Sequence, residues 1–166
     1  TTANSFDSSH FAVDLSSFSG TVAGGFGLHV SGAAFHLTYT PGSDLVINVP
    51  AGSQTQGAAG FPLISGAVNA VKVGNGEVIF DNAANSYSGL TKILAGTLSL
   101  SVDALNGSGA LGANSSPTLL GNTTGNSNAT LNISVSGVTD AHSVIVQAGS
   151  SGTKTIGTTL TSGTAN

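Results

Sequence analysis

The residues best suited to chemistry in this sequence are its acids and its histidines. Acid–base catalysis on polysaccharides needs two carboxyl groups, or one and a base, held close together. Glu77 and Asp81 are the closest acids, and they stand at opposite ends of one predicted strand. The acids are scattered along the chain, at Asp7, Asp14, Asp44, Glu77, Asp81, Asp103 and Asp140. The sequence therefore predicts that the chain is not an enzyme and has no catalytic residues.

An acid, an imidazole and a hydroxyl follow one another at Asp140, His142 and Ser143. A catalytic Ser-His-Asp set is assembled in space and also needs an oxyanion site. Adjacency in sequence is no indication of such a set, and Ser is common throughout the chain. We expect no catalysis from this segment.

Two further histidines, His29 and His36, lie on either side of a predicted hairpin turn at residues 31–34. If that turn closes the hairpin, Val30 pairs with Phe35 and the two imidazoles stand opposite each other. Two imidazoles bind Zn²⁺ weakly, because a closed site takes four ligands. His29 and His36 are thus a weak candidate for a metal site, and the sequence predicts no cofactor.

Composition limits the classes of partner. Charged residues make up 6% of the 166 residues, and there are three Lys and no Arg. Three cationic side chains are too few to neutralise a phosphate backbone, and we therefore expect no nucleic acid as a partner. No apolar run approaches the roughly 20 residues that span a bilayer, so we expect no transmembrane segment. A chain rich in Ser, Thr, Asn and Gly, with almost no Lys or Glu, favours an extracellular or cell-surface location.

The elements that would position these residues are predicted to be strands. Helical periodicity is absent, apart from one possible turn of helix near residues 102–106. Alternating apolar residues mark several strands, as at Leu45 and Ile47 or at Leu131 and Ile133. Turn residues recur at intervals of about 8 to 12, which fits a sandwich, a barrel or a solenoid.

One stretch carries a recognisable motif. It reads GNGEVIF at residues 74–80, NAANSYSGLTKI at 82–93 and AGTLSL at 95–100, followed by ALG at 110–112. This stretch resembles the autotransporter-associated β-strand repeat of bacterial passenger domains, which fixes three strands and two turns together. Glu77 and Lys92 depart from the usual pattern without disturbing the apolar register.

The resemblance implies a right-handed parallel β-solenoid and the role of a structural segment of a bacterial surface protein, such as a stalk, a fibre or a self-assembling filament. The alternative fold is a β-sandwich or jelly-roll-like stack. The alternative role is that of an adhesin or carbohydrate-binding module, with surface glycans as partners. We expect a hairpin-rich β region over residues 1–50 and the solenoid over residues 51–166, with one continuous domain as the alternative.

A solenoid has a narrow core filled by alternate side chains of each strand. The inward positions predicted from this alternation are Val78, Phe80, Ile93, Leu98, Leu100, Leu131, Ile133 and Val135. Asn at the corners of a solenoid can stack in hydrogen-bonded ladders, and Asn75, Asn85 and Asn122 are the candidates.

The ends of a solenoid expose apolar surface and unpaired strand edges unless they are capped. We identify no cap in the sequence. The expected partner is therefore the protein itself, through end-to-end association into an oligomer or filament, or the remainder of a longer repeat array.

Overall fold

The structure, a computed structural model, describes residues 24–31, 34–41, 44–105, 107–112 and 117–160. It divides the chain into two units, Thr1–Gly42 and Ser43–Asn166. All regular elements of the described residues are strands: β1 (Gly24–Ser31), β2 (Ala34–Pro41), β3 (Asp44–Asn48), β4 (Ser53–Thr55), β5 (Ser65–Gly66), β6 (Asn69–Val73), β7 (Glu77–Phe80), β8 (Ser86–Tyr87), β9 (Thr91–Ile93), β10 (Gly96–Leu100), β11 (Ala104–Leu105), β12 (Ser108–Gly109), β13 (Thr118–Leu120), β14 (Ala129–Ile133), β15 (Val144–Val146) and β16 (Lys154–Thr158).

The described part of the first unit is a hairpin. Strands β1 and β2 pair antiparallel, with His29 opposite His36 and Val30 opposite Phe35. The predicted hairpin and its register are therefore confirmed. Asp7 and Asp14 lie outside the described residues.

The second unit is a parallel β-solenoid of about four turns. One large sheet has the order β15-β13-β9-β6-β3, and the other has the order β16-β14-β10-β7-β4. We call two strands that are consecutive along the chain, one from each large sheet, a rung. Rung 1 is β3 with β4, rung 2 is β6 with β7, rung 3 is β9 with β10, rung 4 is β13 with β14, and rung 5 is β15 with β16. The predicted solenoid is confirmed, and the alternative of a sandwich is wrong because all the pairings in both large sheets are parallel.

The solenoid begins earlier in the chain than the sequence suggests. Strand β3 pairs with β6 over its full length, from Asp44 opposite Asn69 to Asn48 opposite Val73. Residues 44–48 therefore form part of rung 1 and do not belong to the hairpin region that was expected to extend to residue 50.

Two smaller pairs complete the second unit. Strands β5 and β8 pair in parallel on a third side, and β11 and β12 form a short antiparallel hairpin. The expected turn of helix near residues 102–106 is wrong, because the backbone of Ala104 bonds to the next turn of the solenoid. Its N–H donates to Thr139 O over 2.9 Å, and its carbonyl accepts from Ala141 N over 2.9 Å.

Side chains in register form columns through the core. One column contains Ile47, Lys72, Ile93, Leu120 and Val146, one from each rung in order. The first four are buried. Because each column member packs on the members above and below it, the core is continuous through the stack.

The predicted inward positions are largely confirmed. Six of them are buried: Val78, Phe80, Ile93, Leu98, Leu100 and Leu131. Ile133 is only partly buried against the core. Val135 is 44% exposed, so its prediction was wrong. Strand β14 ends at Ile133 and the chain turns there, so the alternation does not continue to Val135.

The proposed asparagine ladder is replaced by a mixed amide bridge. Buried Asn85 exchanges two hydrogen bonds of 2.9 Å with the amide of Gln56. Its oxygen also accepts from Ile64 N, and its Nδ2 donates to Ala110 O. Asn75 is exposed, and Asn122 accepts from the adjacent N–H of Thr123. Only Asn85 of the three candidates makes hydrogen bonds between turns of the solenoid in the described residues.

Candidate functional site

The last rung leaves the core open at the C-terminal end of the solenoid. Val146 and Ile156 follow buried Leu120 and Leu131 in their columns, yet they are 55% and 61% exposed. In both large sheets this rung is the edge, so one side of β15 and one side of β16 have no strand partner among the described residues. Rung 5 therefore presents both apolar side chains and unpaired backbone groups.

A shallow cavity of about 210 Å³ lies at this open end. Its wall is mostly apolar and includes Leu131, Ile133, Val144 and Ile156. Each inner rung has a rung on both sides, whereas rung 5 has one only on the side of rung 4 among the described residues, and the cavity lies at this uncovered end.

The first rung differs, because its core side chains are already covered. Ile47, in the same column as Val146, is 0% exposed, and Val49 is buried with it. Phe61 and Ile64, from the segment after β4, belong to the same buried cluster. The core column is therefore covered at rung 1, although Val46 is 42% exposed and β3 and β4 are the opposite edges of the two large sheets.

The structure brings Asp140 and His142 together at the rim of the C-terminal cavity. The Nδ1 atom of His142 lies 3.1 Å from Asp140 Oδ1 and 3.1 Å from Ala104 O. The N–H of His142 also donates to Asp140 Oδ1. These contacts fix the turn that precedes rung 5. Ser143 uses its carbonyl to accept from Thr118 N, as part of the ladder.

A polar groove lies on the outer face, beneath a protruding connection. Residues 121–128, which we call the corner loop, join β13 to β14, whereas the same corner of rung 2 consists of residues 74–76 alone. The groove under the corner loop has a volume of about 420 Å³. It is lined by Asn75, Gly96, Thr97, Asn126, Ser127, Asn128 and Thr130. None of these carries a charge or an aromatic ring.

Lys72 is buried in a column of apolar residues, between Ile47 and Ile93. Its Nζ reaches the corner and donates to Val73 O over 2.7 Å, Gly74 O over 2.7 Å and Ala95 O over 3.1 Å. Burial lowers the pKa of Lys72 from 10.5 to about 8. All three ammonium protons have acceptors, so this residue stabilises the corner and is not accessible to a ligand.

The same corner requires glycine. Gly74 and Gly96 have φ of 77° and 72°, in the left-handed region that favours glycine. A methyl group on Gly96 would overlap the carbonyl oxygens of Gly74 and Gly76. These glycines allow the backbone of successive rungs to approach closely around the Lys72 amine.

Several acids of the described residues accept hydrogen bonds from other turns of the solenoid. Asp44 accepts from Asn69 Nδ2 and Lys92 Nζ, and the hydrogen bond from Asn69 lowers the pKa of Asp44 most strongly. Glu77 accepts from Ser99 Oγ, and Asp103 accepts from Thr139 N. Asp81 is exposed directly after β7.

The described residues contain no group of three or more His, Cys, Asp or Glu that could hold a metal ion. His29 and His36 are opposite each other in register, as predicted. The lining of the polar groove, which the structure reveals, includes no acid and no histidine, whereas Asp140 and His142 line the cavity beside rung 5. The sequence feature that corresponds to the groove is the run of Asn, Thr, Ser and Gly at residues 121–128, which forms the corner loop.

The chain has no match among protein-family models, curated proteins or solved structures. In the part of the chain that the structure describes, no helix has the length and apolar character needed to cross a membrane.

Proposed function

We propose that this chain is a non-enzymatic structural segment of a secreted or cell-surface bacterial protein, and that it forms a rod by pairing with a second copy of itself. The observation that carries the proposal is the open rung 5. Its apolar columns and strand edges are continuous with the core of the solenoid and are uncovered in the described residues.

Strand addition is the contact that such an end favours. An unpaired strand edge is a template for another strand, and apolar columns in register become buried when that strand is added. The chain has three Lys and seven acids, so charge repulsion between two such ends is weak. A second copy supplies strands with the required alternation of side chains.

The two copies are proposed to meet through their C-terminal ends. Rung 1 is also an edge of both large sheets, but its column residue Ile47 is buried and its exposed strand β4 is polar, whereas rung 5 exposes Val146 and Ile156. The exposed end of one copy is therefore complementary to the same end of another, which makes a closed two-fold contact. The product is a rod of twice the length, and not the open head-to-tail filament that the sequence suggested.

The secreted or surface location is supported by composition and by the resemblance of residues 74–112 to the autotransporter repeat. Charged residues are 6% of the chain, far below the quarter typical of ordinary soluble domains. Antibody labelling of intact cells tests the location. Labelling only after permeabilisation would contradict it.

Analytical ultracentrifugation of this chain tests the pairing. We expect a concentration-dependent dimer that persists in high salt, because the contact consists of apolar groups and main-chain hydrogen bonds. A homogeneous monomer at high micromolar concentration would contradict the proposal.

Two variants on one strand give a matched control. Val146→Asp puts a charge in the inward column, where pairing would bury it, and we expect a monomer. Ile145→Asp alters a residue of similar exposure, 48%, in the outward column, and we expect the dimer to remain. If the two variants sediment alike, the contact does not use the open core.

A further inference from the structure

The polar groove under the corner loop is independent of the open rung and has a chemistry of its own. It is concave, about 420 Å³ in volume, and lined by amide and hydroxyl side chains. We propose that this groove is a binding site for a neutral carbohydrate.

The ligand class follows from the groups that line the groove. Asn side chains offer both donors and acceptors, and Thr and Ser hydroxyls do the same. A sugar presents that mixture of donors and acceptors on its own hydroxyls. Thr97 and Thr130 stand opposite each other on β10 and β14, so their side chains lie on adjacent rungs about 4.8 Å apart.

Charged ligands fit the groove poorly. An anionic ligand requires a free cation, and all three lysines of the chain are engaged. The Nζ of Lys72 donates to three carbonyls, that of Lys92 to Asp44, and that of Lys154 to Ser150 O. A cationic ligand or a metal ion prefers carboxylates, and none lines the groove.

The walls of the groove are held in place by neighbouring rungs. Asn128 O accepts from Gly96 N over 2.8 Å, which fixes the corner loop to rung 3. On its other side, Asn128 Oδ1 accepts from Thr153 N and Gly125 O accepts from Ser151 N. A site held from both sides loses little conformational freedom when it binds a ligand.

The affinity of a single site should be low. The lining has no aromatic ring on which a sugar could stack, so binding relies on hydrogen bonds that compete with water. We expect a Kd of about 1 mM for a single groove. Pairing of two copies would place two grooves on one particle and raise the overall affinity for a polymeric glycan.

Titration of the ¹⁵N-labelled chain, followed by amide chemical shifts, tests the site. The probes are oligosaccharides of β-glucan, mannan and N-acetylglucosamine, with an oligogalacturonate as the anionic comparison. We expect at least one neutral probe to shift the amides of Gly96, Thr97, Asn126 and Thr130. The proposal is overturned if none of the three does so, or if the oligogalacturonate binds there more tightly.

Variants separate the groove from the surrounding surface. Thr130→Val should weaken binding about fivefold, as expected for one lost hydrogen bond. Thr155→Val changes the next residue of the same column, which does not line the groove, and should leave the Kd unchanged. Equal effects of the two variants would overturn the assignment.

Asn126→Ala, on the exposed corner loop, provides a variant with little influence on folding. It should also weaken binding while leaving the sedimentation behaviour as in the unaltered chain. Unchanged binding of this variant would count against the groove. Failure of carbohydrate binding is thereby distinguished from failure of pairing.

Discussion

Rungs 1 and 5 each place an aliphatic residue in the same core column and differ in whether that residue is covered. Ile47 and Val146 occupy one column, four rungs apart, yet the first is fully buried and the second is more than half exposed. Burial in a solenoid is thus a property of the neighbouring rung, and a residue's own hydrophobicity does not determine it. The closed end stabilises the fold, and the open end is available for association.

The largest expected difference between the two ends comes from a buried charge. Ile47→Asp places a carboxylate in a covered column and should lower the free energy of unfolding by about 3–5 kcal/mol. Val146→Asp leaves the carboxylate in water and should change it by about 0.5 kcal/mol. Urea unfolding at low protein concentration, where pairing does not contribute, measures both. Equal losses would show that rung 1 is not closed.

The burial of Lys72, which lies between Ile47 and Ile93 in the same column, should make the stability of the fold depend on pH. Its pKa in the folded chain is about 8, below the 10.5 of an exposed lysine, so the unfolded chain binds more protons between these values. Stability should therefore rise as pH increases from about 8 to 10.5, and the difference in pKa corresponds to at most about 3 kcal/mol.

The control for this titration is Lys72→Met, which keeps the column filled and removes the ionisable group. Its stability should lack the rise between pH 8 and 10.5. A rise of equal size in the variant would assign the effect to other groups. The three carbonyl acceptors favour the ammonium form and limit the effect.

The amide bridge at Asn85 should have a smaller effect. Asn85→Ala leaves the amide of Gln56 and the carbonyl of Ala110 without their buried partner. We expect a loss of about 2 kcal/mol in the free energy of unfolding. In the matched variant Asn122→Ala, the altered side chain accepts a hydrogen bond from the adjacent Thr123 N–H in the exposed corner loop, and the change should cost less than about 1 kcal/mol.

The smallest effect is expected from the exposed ion pair that joins rung 1 to rung 3. Asp44 and Lys92 are 3.0 Å apart, with the Asp44 side chain exposed and the Lys92 side chain partly exposed, so a double-mutant cycle should give about 0.2–1 kcal/mol. The lowered pKa of Asp44 means that its contribution is present above pH 3.8 and is lost as pH falls through the folded value. A coupling unchanged at pH 2, or in molar salt, would contradict a simple charge pair.

Much of the solenoid follows from local pattern. The alternation at Leu98 and Leu100 predicted both the strand and its buried face, and the hairpin register of β1 and β2 followed from the turn between them. These features depend on residues close in sequence, so a single chain contains the necessary information.

Other features depend on pairing between distant strands. In β6 both Val71 and Lys72 are buried, and the register with β9 places the charged Lys72 in the column of Ile93. The closure of rung 1 and the groove under the corner loop likewise arise from segments that are adjacent only after folding. Sequence reasoning missed them because no local pattern marks them.

The stacking of rungs also determines how the second unit yields to force at its C-terminal end. A load applied at residue 160 acts first on β16 and β15, which are held on one side only. Their hydrogen bonds break one after another, as a zipper opens, and each detached rung exposes the next as a new edge. The tether lengthens by one rung at a time while Ile47 and its neighbours remain packed. The tension is thus released in small steps, whereas a fold whose strands were all sheared together would break in a single event. After rung 5 alone has detached, rung 4 remains as a template on which its strands re-form when the load is removed.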